Sequence, residues 1–381
     1  MKQILILGGG TGGLVATNKL SKKLKGRYEI ILIDKNSKHI YAPSFLWLMI
    51  GKRKAEDIQK SLQLLKRKGI NFINEEITEI SLKKKIVRTT GNEFGYDYLV
   101  ISLGAELAPE RIKNLSKAGY NLYQLKEVER LRDDLNEFHG GKVCIVISSL
   151  PFKCPAAPYE AAFLLDEYFS KKGMRKKTEI NIFTPETLPM PAAGPENGKI
   201  IKSVLEKRNI KFNPEVQLVS VNANKKELKF KDKKIDYDML IFVPPHQAPE
   251  VIKKSGLGNE AGWIPVDRNS LETAYENVYA IGDNALITLD SGKPLTKAGV
   301  FAHFEAEVVA ENIAAKIKGM KIEKEYNGQA YCFLETGYGK SGFGGGNFYT
   351  KPVPIIKMRK PGRIWHLGKI LFEKYWFWKW F

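Results

Sequence analysis

Residues 4–13, ILILGGGTGG, restrict this chain more than any other stretch. A short apolar strand runs into a turn with glycine at 8, 10 and 13. LVATNKLSKKL follows at helical spacing, then EIILID, a second strand ending in an acid. This is a βαβ unit of about thirty residues, the dinucleotide-binding unit of doubly wound α/β folds. Gly8 permits the tight turn, Gly10 lets backbone approach a pyrophosphate, and Gly13 brings helix against strand. The helix start offers free N–H groups to phosphates. Asp34 stands where a carboxylate accepts ribose hydroxyls.

A second unit begins at KVCIVIS (142–148) and closes at EINIF (179–183). Between the two, FGYDYLVISLGA (94–105) reads as a strand ending in a glycine turn at Gly104. Later, NVYAIGD (277–283) is a strand ending in Gly-Asp, before a long helix over 298–317. The expected architecture is α/β, with two Rossmann-like FAD/NAD(P)-binding domains, the second inserted in the first. Residues 1–110 and 260–325 would form the first, 111–259 the second, and 326–381 a C-terminal segment.

The second unit has lost its glycines. SSLPFKCP follows its first strand, where Leu150, Pro151 and Phe152 would crowd a pyrophosphate and prolines supply no N–H. A nicotinamide cofactor is not expected there. Cys154 instead stands just ahead of a helix, where the helix N-terminus and Lys153 would favour its thiolate. Cys144, inside VCIVI, reads as a buried strand residue. With no CxxC and no cysteine–histidine cluster, and histidines at 39, 139, 246, 303 and 366 without ligand spacing, no metal site is expected.

Asp283 resembles the Gly-Asp element that holds the FAD ribitol in two-domain flavoprotein disulfide reductases, and Gly104 matches their glycine turn near the dinucleotide. Only FAD has a ribitol, so the pair favours FAD over NAD. PFKCPAAPYE (151–160), YCFLETGYGKSGF (331–343) and PLTKAGVFAHFEAEVVAENI (294–313) extend the likeness. They resemble the sulfide:quinone oxidoreductases and the related flavocytochrome c sulfide dehydrogenases, over essentially the whole chain.

The resemblance implies oxidation of hydrosulfide to sulfane sulfur or polysulfide, with electrons passing through FAD to a membrane quinone. Cys154 and Cys332 would form the redox pair, Cys332 on the flavin side and Cys154 carrying the persulfide. Glu160 is a candidate proton handler or a helix first-turn acid. Lys297 and Gly299 match the segment that approaches the isoalloxazine. The expected cofactor contacts are Gly8, Gly10, Gly12, Gly13, Asp34, Ile77, Gly104, Asp283, Lys297 and Gly299. Tyr331 and Phe372 would flank the quinone ring. One departure concerns sulfur release: many quinone-reducing members carry a third functional cysteine upstream, and here residues 1–143 contain none.

The net charge is +19 over 381 residues. Much of it is diffuse lysine, but the last 31 residues set eight Lys/Arg against one acid, Glu373, and hold four of the six tryptophans. Basic charge is drawn to anionic lipid at roughly 1 kcal/mol per residue. Ile364, Leu367, Leu371, Tyr375 and Trp378 recur at helical spacing, suiting a monotopic seat at a bilayer interface. Docking of this tail into a dimer or domain interface is the alternative. A homo-oligomer and a peripheral position on the cytoplasmic face of the cell membrane are expected, with no spanning helix, no secretory signal and no nucleic-acid partner. The competing activities are the flavin subunit of a cytochrome-linked sulfide dehydrogenase, a type II NADH:quinone oxidoreductase, and a flavin-binding protein without turnover.

Overall fold

The apolar run at the start of the chain becomes β1 (Gln3–Leu7), buried from its second residue onward. Strands covered on both faces read as continuous apolar runs rather than alternating ones. In this computed structural model, which describes residues 2–321, 324–351 and 354–381, β1 is followed by α1 (Thr11–Leu24), β2 (Glu29–Ile33), β3 (Asn71–Ile73) and β4 (Tyr98–Ile101). The four strands are parallel, in the order β4-β1-β2-β3. An antiparallel meander (77–81, 86–89, 93–95) separates β3 from β4. The stretch 94–105 is therefore two strands, not one. At the break, the Asp97 carboxylate accepts the Gln3 amide at 2.7 Å.

The inserted unit repeats this plan. It comprises β5 (Tyr120–Asn121), β6 (Gly141–Ile147), α2 (Ala157–Lys171), β7 (Thr178–Phe183), β8 (Ile210–Asn213), a second meander and β9 (Met239–Val243). Its parallel sheet runs β5-β9-β6-β7-β8. Two short antiparallel strands, Glu106–Leu107 and His246–Gln247, carry the chain across and back. The return precedes the expected boundary at 259. Ile252 and Leu257 already pack with Leu5, Leu7 and Ile31, because the helix at 250–255 buries its apolar side on the first sheet.

After the return, β10 (Val278–Ala280) joins the free edge of β4 in parallel. Helix α3 (Gly299–Ile317) lies along α1, tied at its surface by Lys19–Glu307 (2.8 Å) and Lys23–Glu311 (2.5 Å). The C-terminal segment forms an antiparallel sheet, β11 (Gln329–Gly337), β12 (Lys340–Asn347) and β13 (Ile355–Gly362), then α4 (Arg363–Trp380).

Helix α4 has two opposed faces. Lys369, Glu373, Trp376 and Trp380, spaced four, three and four, are buried against the body. On the opposite face Ile364, Leu367, Leu371, Tyr375 and Trp378 are exposed, Ile364 by 71% and Trp378 by 78%. The expected apolar stripe is thus the outward one. The other tryptophans anchor the helix. Among the described residues, no helix is long and apolar enough to cross a membrane.

Candidate active site

The first turn forms a cradle whose glycines differ in role. Gly8 has φ +98°, and a Cβ there would stand 2.3 Å from the Ser102 carbonyl oxygen. A Cβ on Gly13 would meet the Gly8 carbonyl oxygen at 1.8 Å, and one on Gly12 the Ser102 hydroxyl at 2.7 Å. Gly10, at the N-cap of α1, has nothing within 4 Å of its Cβ position, so its bare backbone faces open space. Gly299 opens α3 against Thr11, with Thr11 Oγ1 3.3 Å from its Cβ position. Two helix N-termini therefore converge on the turn, which suits an anionic pyrophosphate. Asp34 Oδ1 accepts the Asn36 backbone and side-chain amides at 2.7 and 3.0 Å, and Oδ2 accepts the Gly9 amide at 2.6 Å, which holds the turn and leaves a lone pair on Oδ2.

Gly104 adopts φ +71° and donates its amide to Asn284 at 3.0 Å, which fixes it beside the Gly282–Asn284 turn. Lys297 is buried there. Its ammonium donates to the Asp283 carbonyl at 2.5 Å and lies 3.7 Å from the Trp263 ring centroid. Burial lowers Lys297 to about 8, with Asp283 and Glu305 pulling it back up. Burial also raises Glu305 to about 7, opposed by the Gly282 amide it accepts at 2.6 Å. Ile77 begins the first meander, packed against the Leu5–Leu7 cluster.

The second turn does something else. Phe152 folds into the core, and the backbone beyond it pairs Lys153 with Lys297 across the two domains. Cys154, at φ +51°, donates its amide to the Lys297 carbonyl at 2.8 Å. Its own carbonyl accepts from the Ala157 amide at 3.0 Å and the Tyr123 hydroxyl at 3.1 Å. The loop that holds phosphates in a nucleotide-binding unit here delivers a sulfur to the first domain. Glu186, beyond β7 where a ribose-binding acid would stand, is buried. It accepts from the Tyr159 and Thr184 hydroxyls.

Cys332 reaches the same place from β11, which lies along α2. Glu160 accepts the Glu335 amide at 2.6 Å, and Glu167 accepts the Tyr338 amide at 2.8 Å. Glu160 also forms a buried ion pair with Lys369 of α4 at 3.0 Å. All three cysteines are free thiols. The Cys154 thiol is raised by burial, then by Glu160 and Cys332, with Lys369 opposing. Cys332 has exposed residue surface, yet protein hems in its sulfur. Burial and Glu160 push it up to about 12, again against Lys369. The expected thiolate at Cys154 is therefore corrected. Burial and a neighbouring carboxylate outweigh the helix end and Lys153, and the N-cap itself is Ala156. Burial likewise raises Cys144 to about 12 within β6.

Tyr331 and Phe372 are 46% and 38% exposed, and their rings pair with other aromatics rather than with each other. Phe333 and Phe343 bridge them: Tyr331–Phe343 is 6.3 Å, Phe343–Phe333 5.0 Å and Phe333–Phe372 6.4 Å between centroids. Sequence reasoning missed Lys369 and Tyr123. It also missed His366, whose Nδ1 lies 2.6 Å from Glu335, and His39. Only helical spacing from Glu373 and Trp376 could have turned Lys369 inward.

The chain is 28% identical over 356 residues to the mitochondrial sulfide:quinone oxidoreductase of Mus musculus, covering 89% of this chain and 76% of that protein. It is 28% identical over 404 residues to the sulfide-quinone reductase of Aquifex aeolicus, covering 99% and 91%. The crystal structure of the sulfide:quinone oxidoreductase from that hyperthermophilic bacterium superimposes with a TM-score of 0.89 at 24% identity, over 100% of this chain and 91% of that one. A duplicated nucleotide-binding fold, one unit of which has an open glycine cradle, agrees with the profile that matches residues 2–306, and the chain belongs to the pyridine nucleotide-disulphide oxidoreductase family.

Proposed function

We propose that this protein is an FAD-dependent sulfide:quinone oxidoreductase working through Cys154 and Cys332. The observation that carries the reading is their convergence, from different domains, on one buried Glu160–Lys369 pair beside the Lys297 segment. Its relatives of that name support the substrate and acceptor.

The cradle fits a flavin dinucleotide. Gly8, Gly10, Gly12, Gly13 and Gly299 would hold the pyrophosphate and Asp34 the adenosine ribose. Asp283 and Gly104 would hold the ribitol, Lys297 would stand by the ring, and Ile77 would line the adenine end. FAD, when bound, supplies a two-electron acceptor.

The chain's own residues do the rest. In the oxidised form of the site, with Cys154 and Cys332 joined as a disulfide, hydrosulfide attacks at Cys154, forming a Cys154 persulfide and releasing Cys332 as thiolate. Lys369 stabilises that leaving charge, and Glu160 stands ready for the proton. A second hydrosulfide takes the sulfane sulfur. In net terms, two HS⁻ give HSS⁻, one proton and an electron pair, which bound FAD would accept and a quinone would finally take.

The exposed face of α4 supports monotopic seating on an anionic membrane surface, and Tyr331 and Phe372 offer a route for a quinone ring. Glu186, turned inward, weighs against the NADH reading, since a dinucleotide ribose would find no free carboxylate there.

Anaerobic titration of the flavin-loaded protein tests this. Sulfide bleaches the flavin, NADH does not, and a soluble quinone restores it. Cys154→Ser or Cys332→Ser with undiminished sulfide bleaching would overturn the mechanism.

A further inference from the structure

His246 is 5% exposed, and its Nε2 is buried with no hydrogen-bond partner among the described residues. Its Nδ1 lies 2.9 Å from the Pro244 carbonyl, which can only accept. The proton is therefore on Nδ1, and Nε2 is a bare acceptor. Leaving such an atom unpaired is costly, so the site calls for a donor.

Its surroundings say which kind. The ring meets Tyr123 edge to face at 5.5 Å, and the Tyr123 hydroxyl binds the Cys154 carbonyl at 3.1 Å. Lys153 and Lys297 are paired backbone to backbone alongside, and both act on the imidazole. The Lys297 ammonium is held by the Asp283 and Ala285 carbonyls. Lys153, half-buried, has no ion-pair partner among the described residues. A neutral acceptor, a lysine without an ion-pair partner and the Cys154 loop thus lie in one neighbourhood. A small anion that also carries a hydrogen matches it.

We propose that His246 and Lys153 form the docking subsite for hydrosulfide on the Cys154 side, its S–H toward Nε2 and its charge toward Lys153. The subsite rests on the sulfide reading above and concerns binding before any bond is made. Apolar substitution at His246 removes the acceptor, and Lys153→Met removes the charge. Both leave Cys154 and Cys332 themselves in place.

The test is anaerobic stopped-flow reduction of the flavin-loaded protein over a range of sulfide concentrations. His246→Phe, which keeps the ring contact with Tyr123, raises the half-saturating sulfide about tenfold. Its limiting rate, flavin content and visible spectrum stay as in the parent. His246→Gln, which restores an acceptor, stays within about threefold of the parent. Lys153→Met raises half-saturation and weakens its dependence on ionic strength.

Unchanged half-saturation in both His246→Phe and Lys153→Met overturns the subsite and points to a resident water. Loss of flavin or of limiting rate at unchanged half-saturation in His246→Phe overturns it in favour of a contact to the cofactor. If His246→Phe does not fold, unchanged half-saturation in Lys153→Met alone sinks the proposal. A parent protein that sulfide fails to bleach sinks the sulfide reading itself, an outcome distinct from variants that match a responsive parent.

Discussion

Trp376 donates its indole N–H to His39 Nε2 at 3.0 Å, and His39 Nδ1 lies 2.9 Å from the Gly9 carbonyl. Because indole can only donate, His39 is neutral, with its proton on the Gly9 side. The C-terminal helix is thereby tied, through one ring, to the glycine turn at the start of the chain. Trp376→Phe leaves His39 Nε2 buried and unpaired, at a cost of about 1–3 kcal/mol. Trp376→Ala adds a cavity, for a total of about 3–5 kcal/mol. Denaturant unfolding of the two variants should show that order.

The same ring gives a pH dependence. Burial holds His39 down to about 4 from its ordinary 6.5, with the Gly9 carbonyl and Asp34 opposing. As pH falls, the unfolded chain takes up this proton first. The stabilisation is complete above about 6.5 and is lost progressively down to about 4, amounting to ~3 kcal/mol. His39→Gln should flatten the slope of unfolding free energy between pH 7 and 4.5.

Gly10 and Gly13 should separate folding from cofactor binding. Gly13→Ala drives a Cβ into the Gly8 carbonyl and should destabilise the protein by more than about 4 kcal/mol. Gly10→Ala meets open space, so the apoprotein should melt within about 1 kcal/mol of the parent. Its flavin content should nevertheless fall sharply. Thermal melts and the ratio of flavin to protein absorbance distinguish the two.

Glu160 and Lys369 act on both sulfurs in opposite senses. Lys369→Met should raise the pH at which the thiols alkylate, and Glu160→Gln should lower it. Each single change strands a buried partner at about 3–5 kcal/mol, whereas the double variant recovers much of that loss. Iodoacetamide rates against pH, with denaturation curves, check both statements.

Leu371→Glu with Trp378→Glu places charge on the outward face of α4 and leaves its buried face intact. Thermal stability should change by less than about 1 kcal/mol. Co-sedimentation with vesicles containing phosphatidylserine should drop at least tenfold, since each charge opposes both the apolar contact and the anionic surface. Undiminished sedimentation would remove the membrane reading.

The fold was legible where local chemistry is strict. ILILGGGTGG fixed one nucleotide-binding unit, and the glycine-poor SSLPFKCP marked its degenerate copy, because backbone approach to phosphate tolerates few residues. Cys154 and Cys332 stood out through their motifs. What stayed hidden depends on distant packing. Lys369 meets Glu160 across 209 positions and Trp376 meets His39 across 337. The Cys154 thiolate was misjudged for the same reason, since burial is a property of the assembled domains. The outward stripe of α4 was legible, but the inward one needed the body to reveal it.

Because α4 presents Lys369 to Glu160 on one side and a bare apolar row on the other, the proposed seat and the proposed chemistry would share a single rod. On the proposed seating, a variant clipped near residue 362 would lose attachment and reactivity together, so truncation would not yield a freely diffusing catalyst. Release from a membrane would instead come from repainting the outer row.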